Sequence, residues 1–174
     1  LVSLLEKLEY TCLQGSTDQE VKNVIYDSRK VEEGSLFICI RGAVVYGHKF
    51  VPDVIAKGAK VLVVEEAVEA PEDVTVILVK DTRYAMAFIS AAYFGHPADK
   101  LKTIGITGTK GKTTTTYMVK SILENAGYKV GLIGTIEAII GDKVIPAKNT
   151  TPESYMIQEY FHEMVEAGCD CVVM

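Results

Sequence analysis

Apolar residues recur along this chain in two alternating patterns, short continuous runs and longer stretches with helical spacing. The continuous runs, rich in β-branched residues, predict buried strands, and the helical spacing predicts amphipathic helices. In the first half the predicted strands are Asn23–Tyr26, Ser35–Ile40, Lys60–Val64 and Val74–Val79. The predicted helices are Val2–Leu8, Phe50–Lys57 and Thr82–Phe94, the last with Asp81 as N-cap. This alternation predicts an α/β domain.

The same alternation resumes after Gly95–Lys100, so we predict two domains, 1–98 and 99–174. In the second domain we expect strands at 101–107, 129–133 and 170–174, with Val144–Ile145 in a hairpin after Gly141-Asp142. One helix is predicted to end at Gly127, and another to span Glu153–Ala167. For the latter we predict Thr151 as N-cap and Pro152 as first helical residue. Because a doubly wound domain needs more strands, we expect this one to be incomplete.

A glycine-rich loop joins the strand predicted at 101–107 to the following helix. Its residues are Gly108, Thr109, Lys110, Gly111, Lys112, Thr113 and Thr114. Strand, loop and helix in this order are typical of phosphate binding, since glycines let the backbone wrap an anion and the helix N-terminus offers free N–H groups. Lys112 would reach the β- and γ-phosphates, and the hydroxyl of Thr113 would ligate Mg²⁺. The general motif has glycine at 106, where this chain has isoleucine; the alternative is a polar turn that enters a helix.

Composition narrows the function classes. The 174 residues are 48% hydrophobic and 24% charged, with a net charge of −5, which gives no electrostatic basis for nucleic-acid binding. No apolar run is long enough to span a bilayer, and an acidic residue at position 6 argues against a signal peptide. We therefore expect a cytoplasmic protein. The four cysteines are interpreted as small buried hydrophobic residues rather than metal ligands.

Three further polar segments each have a structural interpretation, and two of them also have a functional one. Tyr26-Asp27-Ser28-Arg29 ends a predicted strand, where it forms either a turn or part of a ligand pocket. His48 precedes a helix and is interpreted as a turn or capping residue, without an acid–base role. The cluster Asn149-Thr150-Thr151-Pro152-Glu153 has the chemistry of a helix start, and its extra hydrogen-bonding groups leave anion or substrate binding open.

The loop 107–114 resembles the nucleotide loop of the Mur ligases and folylpolyglutamate synthetases, whose glycine spacing differs from the general P-loop. Asp27-Ser28-Arg29, Gly34-Ser35-Leu36-Phe37, Gly42 and Gly47-His48-Lys49-Phe50 resemble the N-terminal domain of Mur ligases. Gly134-Thr135-Ile136 and Asn149–Glu153 are similar to the type that adds the third residue of the peptide, the UDP-N-acetylmuramoyl-tripeptide synthetases (MurE type). The similarity runs over the whole chain.

This resemblance implies a Rossmann-like domain that binds a UDP substrate, followed by the truncated start of a P-loop-type α/β domain that binds ATP. It assigns the glycine loop, Gly108 to Thr114, to ATP, with Lys112 as the catalytic residue and Thr113 on Mg²⁺. It assigns the uridine nucleotide to Tyr26, Ser28, Ala43, Val44 and Val45, and the muramoyl-peptide to Asn149, Thr150 and Thr151. Lys110 departs from the asparagine common in the family, and Tyr46 from the aspartate.

The implied reaction belongs to peptidoglycan precursor synthesis, and thus to cell-wall biogenesis, cell shape and cell division. ATP activates the D-glutamyl carboxylate of UDP-N-acetylmuramoyl-L-alanyl-D-glutamate as an acyl phosphate, and the amine of a diamino acid displaces the phosphate. The diamino acid, meso-diaminopimelate or L-lysine, is not determined by this sequence. The family suggests a monomer. We expect the chain to be an N-terminal fragment that has no ligase activity alone; the alternatives are a UDP-sugar-binding module and a P-loop kinase or NTPase.

Overall fold

Each of the two strand–helix series forms one five-stranded sheet. The computed structural model describes residues 1–42 and 46–174, and these divide into two compact units, Leu1–Tyr93 and Phe94–Met174. Both units combine α-helices with a mixed five-stranded sheet, which confirms the predicted α/β class. Within the described ranges, no helix combines the length and apolar character that crossing a bilayer requires.

The sheet of the first unit is mainly parallel. Its strands are β1 Tyr10–Gln14, β2 Asn23–Ile25, β3 Ser35–Ile38, β4 Val61–Val64 and β5 Thr75–Val79. Their order is β1-β5-β4-β3-β2, in which β2 to β5 run parallel and β1 lies antiparallel to β5. Every residue of β3 and β4 is buried, as expected for strands with continuous apolar sequence in the middle of a parallel sheet.

Three α-helices accompany this sheet, α1 Val2–Leu5, α2 Val51–Ala56 and α3 Thr82–Tyr93. Asp81 caps α3 as predicted, because its Oδ1 accepts hydrogen bonds from the backbone N–H of Arg83 (2.8 Å) and of Tyr84 (2.9 Å). Two 3₁₀ turns, Ser28–Lys30 and Gly47–Phe50, follow β2 and precede α2, respectively.

The second unit contains β6 Lys102–Ile104, β7 Val130–Ile133, β8 Glu137–Ile140, β9 Lys143–Pro146 and β10 Cys171–Val173, with α4 Lys112–Asn125 and α5 Ser154–Glu166. Its strand order is β6-β10-β7-β8-β9. The last strand of the chain, β10, therefore lies between β6 and β7 and is parallel to both. The predicted hairpin is confirmed as β8–β9, which turns at Gly141-Asp142.

The structure corrects several local predictions. The strand β1 was not predicted, and α1 ends at Leu5 rather than Leu8. Four of the five β1 residues are exposed, so β1 lacks the buried apolar run by which the other strands of the first unit were recognised. Helix α5 begins at Ser154, with Glu153 as N-cap, so the prediction of Thr151 as N-cap and Pro152 as first helical residue is wrong.

The cysteine interpretation is confirmed at three positions and wrong at one. Cys39, Cys169 and Cys171 are buried, whereas Cys12 is exposed on β1, at the edge of the sheet. Among the described residues, no group of three or more His, Cys, Asp or Glu side chains has the arrangement of a metal site.

Candidate nucleotide-binding site

The glycine loop connects the carboxyl end of β6 to the first turn of α4. Gly111 is the N-cap of α4 and has φ +79°, a left-handed conformation that favours glycine. The backbone N–H of Thr115 donates to the carbonyl of Gly111 at 2.9 Å, the first hydrogen bond of the helix. The N–H groups of Lys112, Thr113 and Thr114 have no carbonyl one turn earlier in the helix, so they form the end at which α4 attracts anions.

The side chain of Lys112 folds back over this loop. Its ammonium Nζ donates a hydrogen bond to the carbonyl of Gly108 at 2.6 Å. The positive charge is thereby held over the glycine loop. An ammonium and backbone N–H groups that converge in this way are suited to a phosphate.

The loop opens into a cleft of about 370 Å³ at the carboxyl ends of three parallel strands. These strands contribute residues at 105–107 after β6, at 133–135 at the end of β7, and Met174 after β10. Lys112, Thr113 and Thr116 line the cleft from α4, and Thr150 and Thr151 line it from the segment before α5. The cleft therefore lies where open parallel sheets bind ligands.

Some residues predicted to bind ATP and some predicted to bind the muramoyl-peptide line the same cleft. Lys112 and Thr113 line it together with Thr150 and Thr151, although almost forty residues separate the pairs. The remaining loop residues, Gly108, Thr109, Lys110, Gly111 and Thr114, belong to the loop and first turn but are not among its lining residues. Asn149 is exposed and does not line it either.

Thr135 is a cleft residue to which sequence reasoning assigned no role. Its Oγ1 lies 3.4 Å from Oγ1 of Thr113, which donates to it. The position of Thr135, two residues beyond the end of β7, could have indicated a site residue, because side chains at the carboxyl ends of parallel strands commonly contact ligands.

The donor groups of the cleft fit a polyphosphate with a hard cation. Backbone N–H groups and the Lys112 ammonium match phosphate oxygens, and the Thr113 hydroxyl is an oxygen ligand of the kind that Mg²⁺ accepts. No carboxylate is present among the described residues that line the cleft. Mg²⁺ commonly keeps several waters and takes substrate phosphate oxygens, so one protein hydroxyl is compatible with it.

The predicted uridine-nucleotide residues lie in the first unit. Tyr26 and Ser28 directly follow β2 at the carboxyl edge of its sheet, and Ser28 begins a 3₁₀ turn. The carbonyl of Ser28 accepts a hydrogen bond from Nζ of Lys57 at 2.7 Å. The other three predicted residues, Ala43, Val44 and Val45, lie outside the residues that the structure describes.

Asp27 gives the turn after β2 its shape. Its carboxylate accepts from the backbone N–H of Arg29 at 3.0 Å and forms a two-pronged ion pair with the Arg29 guanidinium at 2.9 and 2.7 Å. Arg29 lowers the pKa of Asp27 to about 2, chiefly through the side-chain hydrogen bond. The turn interpretation of Asp27 is confirmed, and Arg29 is its partner.

A second polar network occupies the same edge of the first sheet. His48, 7% exposed, accepts a hydrogen bond at Nε2 from the backbone N–H of Glu65 at 3.0 Å. Oε1 of Glu65 in turn accepts from the backbone N–H (2.9 Å) and hydroxyl (2.8 Å) of Thr82 at the start of α3. His48 thus links its 3₁₀ turn to the end of β4, in agreement with the predicted structural role.

The chain consists of two α/β units, and the second has the strand, glycine loop and helix of a P-loop-type domain. Comparison with protein families then matches residues 20–94 to the Mur ligase family, catalytic domain, and residues 106–174 to the Mur ligase middle domain. The chain belongs to the Mur ligase family.

A curated relative from Clostridium perfringens, named UDP-N-acetylmuramoyl-L-alanyl-D-glutamate–2,6-diaminopimelate ligase, is 53% identical over 174 residues. The match covers 100% of this chain and 36% of that relative, so the chain spans about a third of the length of the curated relatives it matches. A second relative, from Clostridium tetani, has the same name and is 49% identical over 177 residues, with the same shares covered.

Solved structures of the family share the fold. The MurF structure from Acinetobacter baumannii is 26% identical with a TM-score of 0.63, and the match covers 99% of this chain and 34% of that one.

Proposed function

We propose that this chain carries the UDP-substrate unit and the first part of the ATP site of a ligase in peptidoglycan precursor synthesis. The ligase would join 2,6-diaminopimelate to UDP-N-acetylmuramoyl-L-alanyl-D-glutamate, with ATP as the energy source. The choice of 2,6-diaminopimelate over lysine is supported by the names of the curated relatives. Amide-bond formation is a proposal for the whole protein, because the curated relatives are about three times as long as this chain.

One observation carries the proposal: residues at the start of α4 and the two threonines of the Asn-Thr-Thr cluster line one cleft. Lys112 and Thr113 line the same 370 Å³ space as Thr150 and Thr151. A ligase that activates a carboxylate with ATP must hold the γ-phosphate next to that carboxylate, because the two react directly. The cleft supplies donors for a phosphate on one wall and hydroxyls for a second substrate on the other.

The residues of the loop would act mainly by positioning and charge. Lys112 would exchange its hydrogen bond with the Gly108 carbonyl for one with phosphate oxygens and offset negative charge that develops during phosphoryl transfer. The N–H groups at the start of α4 would hold the phosphate chain in place, and Thr113 would orient its hydroxyl toward Mg²⁺. When bound, Mg²⁺ would neutralise charge on the polyphosphate.

The first unit would hold the uridine nucleotide through Tyr26, Ser28 and the residues at 43–45. This assignment is supported by the location of Tyr26 and Ser28 at the carboxyl edge of a parallel sheet and by the hydrogen-bonded Asp27–Arg29 turn that carries Ser28. A monomeric cytoplasmic enzyme remains our expectation for the whole protein.

Isothermal titration calorimetry with two ligands tests the proposal. We expect the chain to bind MgATP and, independently, UDP-N-acetylmuramoyl-L-alanyl-D-glutamate. Lys112→Ala should weaken MgATP binding at least tenfold, since it removes the ammonium from the cleft, whereas it should leave the uridine contacts of the first unit intact. Lys100→Ala, an exposed lysine outside the cleft, is the charge-matched control and should bind both ligands as the parent chain does.

Two outcomes would contradict the proposal. Binding of MgATP without any response to the UDP ligand would favour a kinase or NTPase. Binding of the UDP ligand without MgATP would favour a UDP-sugar-binding module.

A further inference from the structure

Thr135 lines the cleft from an exposed position on the turn between β7 and β8. The backbone N–H of Gly134 donates to the carbonyl of Glu137 at 2.9 Å, and that of Ala147 donates to the carbonyl of Ile136 at 2.9 Å. These bonds fix both sides of the short connection between β7 and β8. Thr135 is therefore carried on a turn whose backbone is hydrogen-bonded on both sides.

The same turn is tied to the helix that carries Thr113. The hydroxyl of Tyr117, one turn along α4 from Thr113, donates to Oε1 of Glu137 at 2.7 Å. This bond joins α4 to the first residue of β8, two positions after Thr135. It links the helix that carries Thr113 to the strand that follows Thr135.

A threonine hydroxyl that binds a metal ion needs an acceptor for its proton, and Thr135 is placed to be that acceptor for Thr113. A threonine hydroxyl has one proton and two lone pairs, and a cation takes a lone pair, so the proton needs an acceptor on another side. In this structure the acceptor of the Thr113 proton is Oγ1 of Thr135, at 3.4 Å. That distance is long for a hydroxyl pair, and such contacts commonly shorten when the ligand binds.

We propose that Thr135 is a positioning residue, which accepts the Thr113 proton and thereby turns a lone pair of Thr113 toward the cation of a bound Mg-nucleotide. The inference rests on the proposed function, because it takes Thr113 as the metal ligand. Groups that orient a metal ligand typically change metal affinity by 10–100-fold when they are removed.

The test is the affinity for Mg²⁺ of the ADP-bound chain, compared with the affinity for ADP without metal. Thr135→Val keeps the shape but removes the acceptor, so the Mg²⁺ concentration for half-saturation should rise about tenfold or more. The dissociation constant for metal-free ADP should change less than about twofold, because the phosphate donors at the loop are intact. Thr135→Ser restores a hydroxyl and should recover most of the Mg²⁺ affinity.

Thr103→Val is the matched control, since it makes the same chemical change at an exposed position of β6 outside the cleft. Parental Mg²⁺ affinity in Thr135→Val would overturn the inference, and so would an equal loss of metal-free and metal-bound ADP affinity. Absence of ADP binding by the parent chain would instead show that the proposed function itself fails.

Discussion

The backbone N–H of Glu65 donates a hydrogen bond to Nε2 of His48 across 3.0 Å, from the end of β4 to the 3₁₀ turn at Gly47–Phe50. Only a neutral imidazole can accept this bond. Burial is the main cause that lowers the pKa of His48, and the positive charge of Arg41 lowers it slightly further. The negative charges of Glu66 and Glu65 raise this pKa but do not outweigh burial. The folded first unit therefore favours the uncharged ring.

We expect this histidine to destabilise the fold at acidic pH. Its pKa is lower in the folded state than the ordinary 6.5, so below 6.5 the unfolded chain binds a proton that the folded chain resists. The free energy of unfolding should fall as the pH drops from 6.5 toward the folded-state pKa, by at most about 1.4 kcal/mol per pH unit, and level off below it.

Urea unfolding of the parent chain and of His48→Gln between pH 7.5 and 5 (roughly the range in which histidine titrates) measures this effect. The difference between the two should shrink as the pH falls, because the variant lacks the titrating ring. A constant difference between parent and His48→Gln over this range would refute the prediction.

Gly111 and Gly108 should respond differently to alanine. Gly111 has φ +79°, and a Cβ there meets nothing within 4 Å, so its cost is backbone strain alone, about 1–2 kcal/mol. Gly108 does not have a positive φ, and its Cβ would make an ordinary contact at 3.5 Å with the carbonyl of Lys110. Urea unfolding should therefore show a clear loss for Gly111→Ala and a smaller one for Gly108→Ala; equal losses would contradict this account.

The hydrogen bond from Tyr117 to Glu137 should appear as a coupling energy. It spans 2.7 Å between partly buried groups, and it raises the pKa of Tyr117 because it holds the phenol proton beside a carboxylate. A double-mutant cycle with Tyr117→Phe and Glu137→Ala, followed by urea unfolding, should give a coupling of about 1 kcal/mol. Additive losses would mean that the bond does not stabilise the fold.

Gly131 permits the close packing of β7 against α5. A Cβ at this position would lie 2.4 Å from Sδ and 2.7 Å from Cε of Met164, a side chain with no solvent exposure. Gly131→Ala should therefore cost about 1–3 kcal/mol in the free energy of unfolding. Met164→Val shortens the opposing side chain, so Gly131→Ala should cost less in the Met164→Val background than in the parent chain. An equal cost in both backgrounds would mean that the strain does not come from Met164.

Most elements were predictable from local sequence because their signals are local. Buried parallel strands such as β3 and β4 appear as continuous apolar runs, Asp81 is recognisable as an N-cap, and the glycines of the loop indicate where the backbone must turn. The exceptions have physical reasons. The exposed edge strand β1 is held by pairing with β5, and the start of α5 depends on backbone geometry at Glu153 rather than on the hydroxyl of Thr151.

The sequence by itself determined the α/β class, the glycine-rich loop that leads into a helix at Lys112 and Thr113, and the resemblance to Mur ligases, since these depend on residue type and spacing within short segments. Only the tertiary structure decided that β10 lies between β6 and β7, which aligns the carboxyl ends of three strands around one cleft. It also brought Thr135 beside Thr113 and placed Thr150 and Thr151 in the same cleft. Such neighbours follow from which strands pair across long stretches of chain, and local spacing carries no information about that choice.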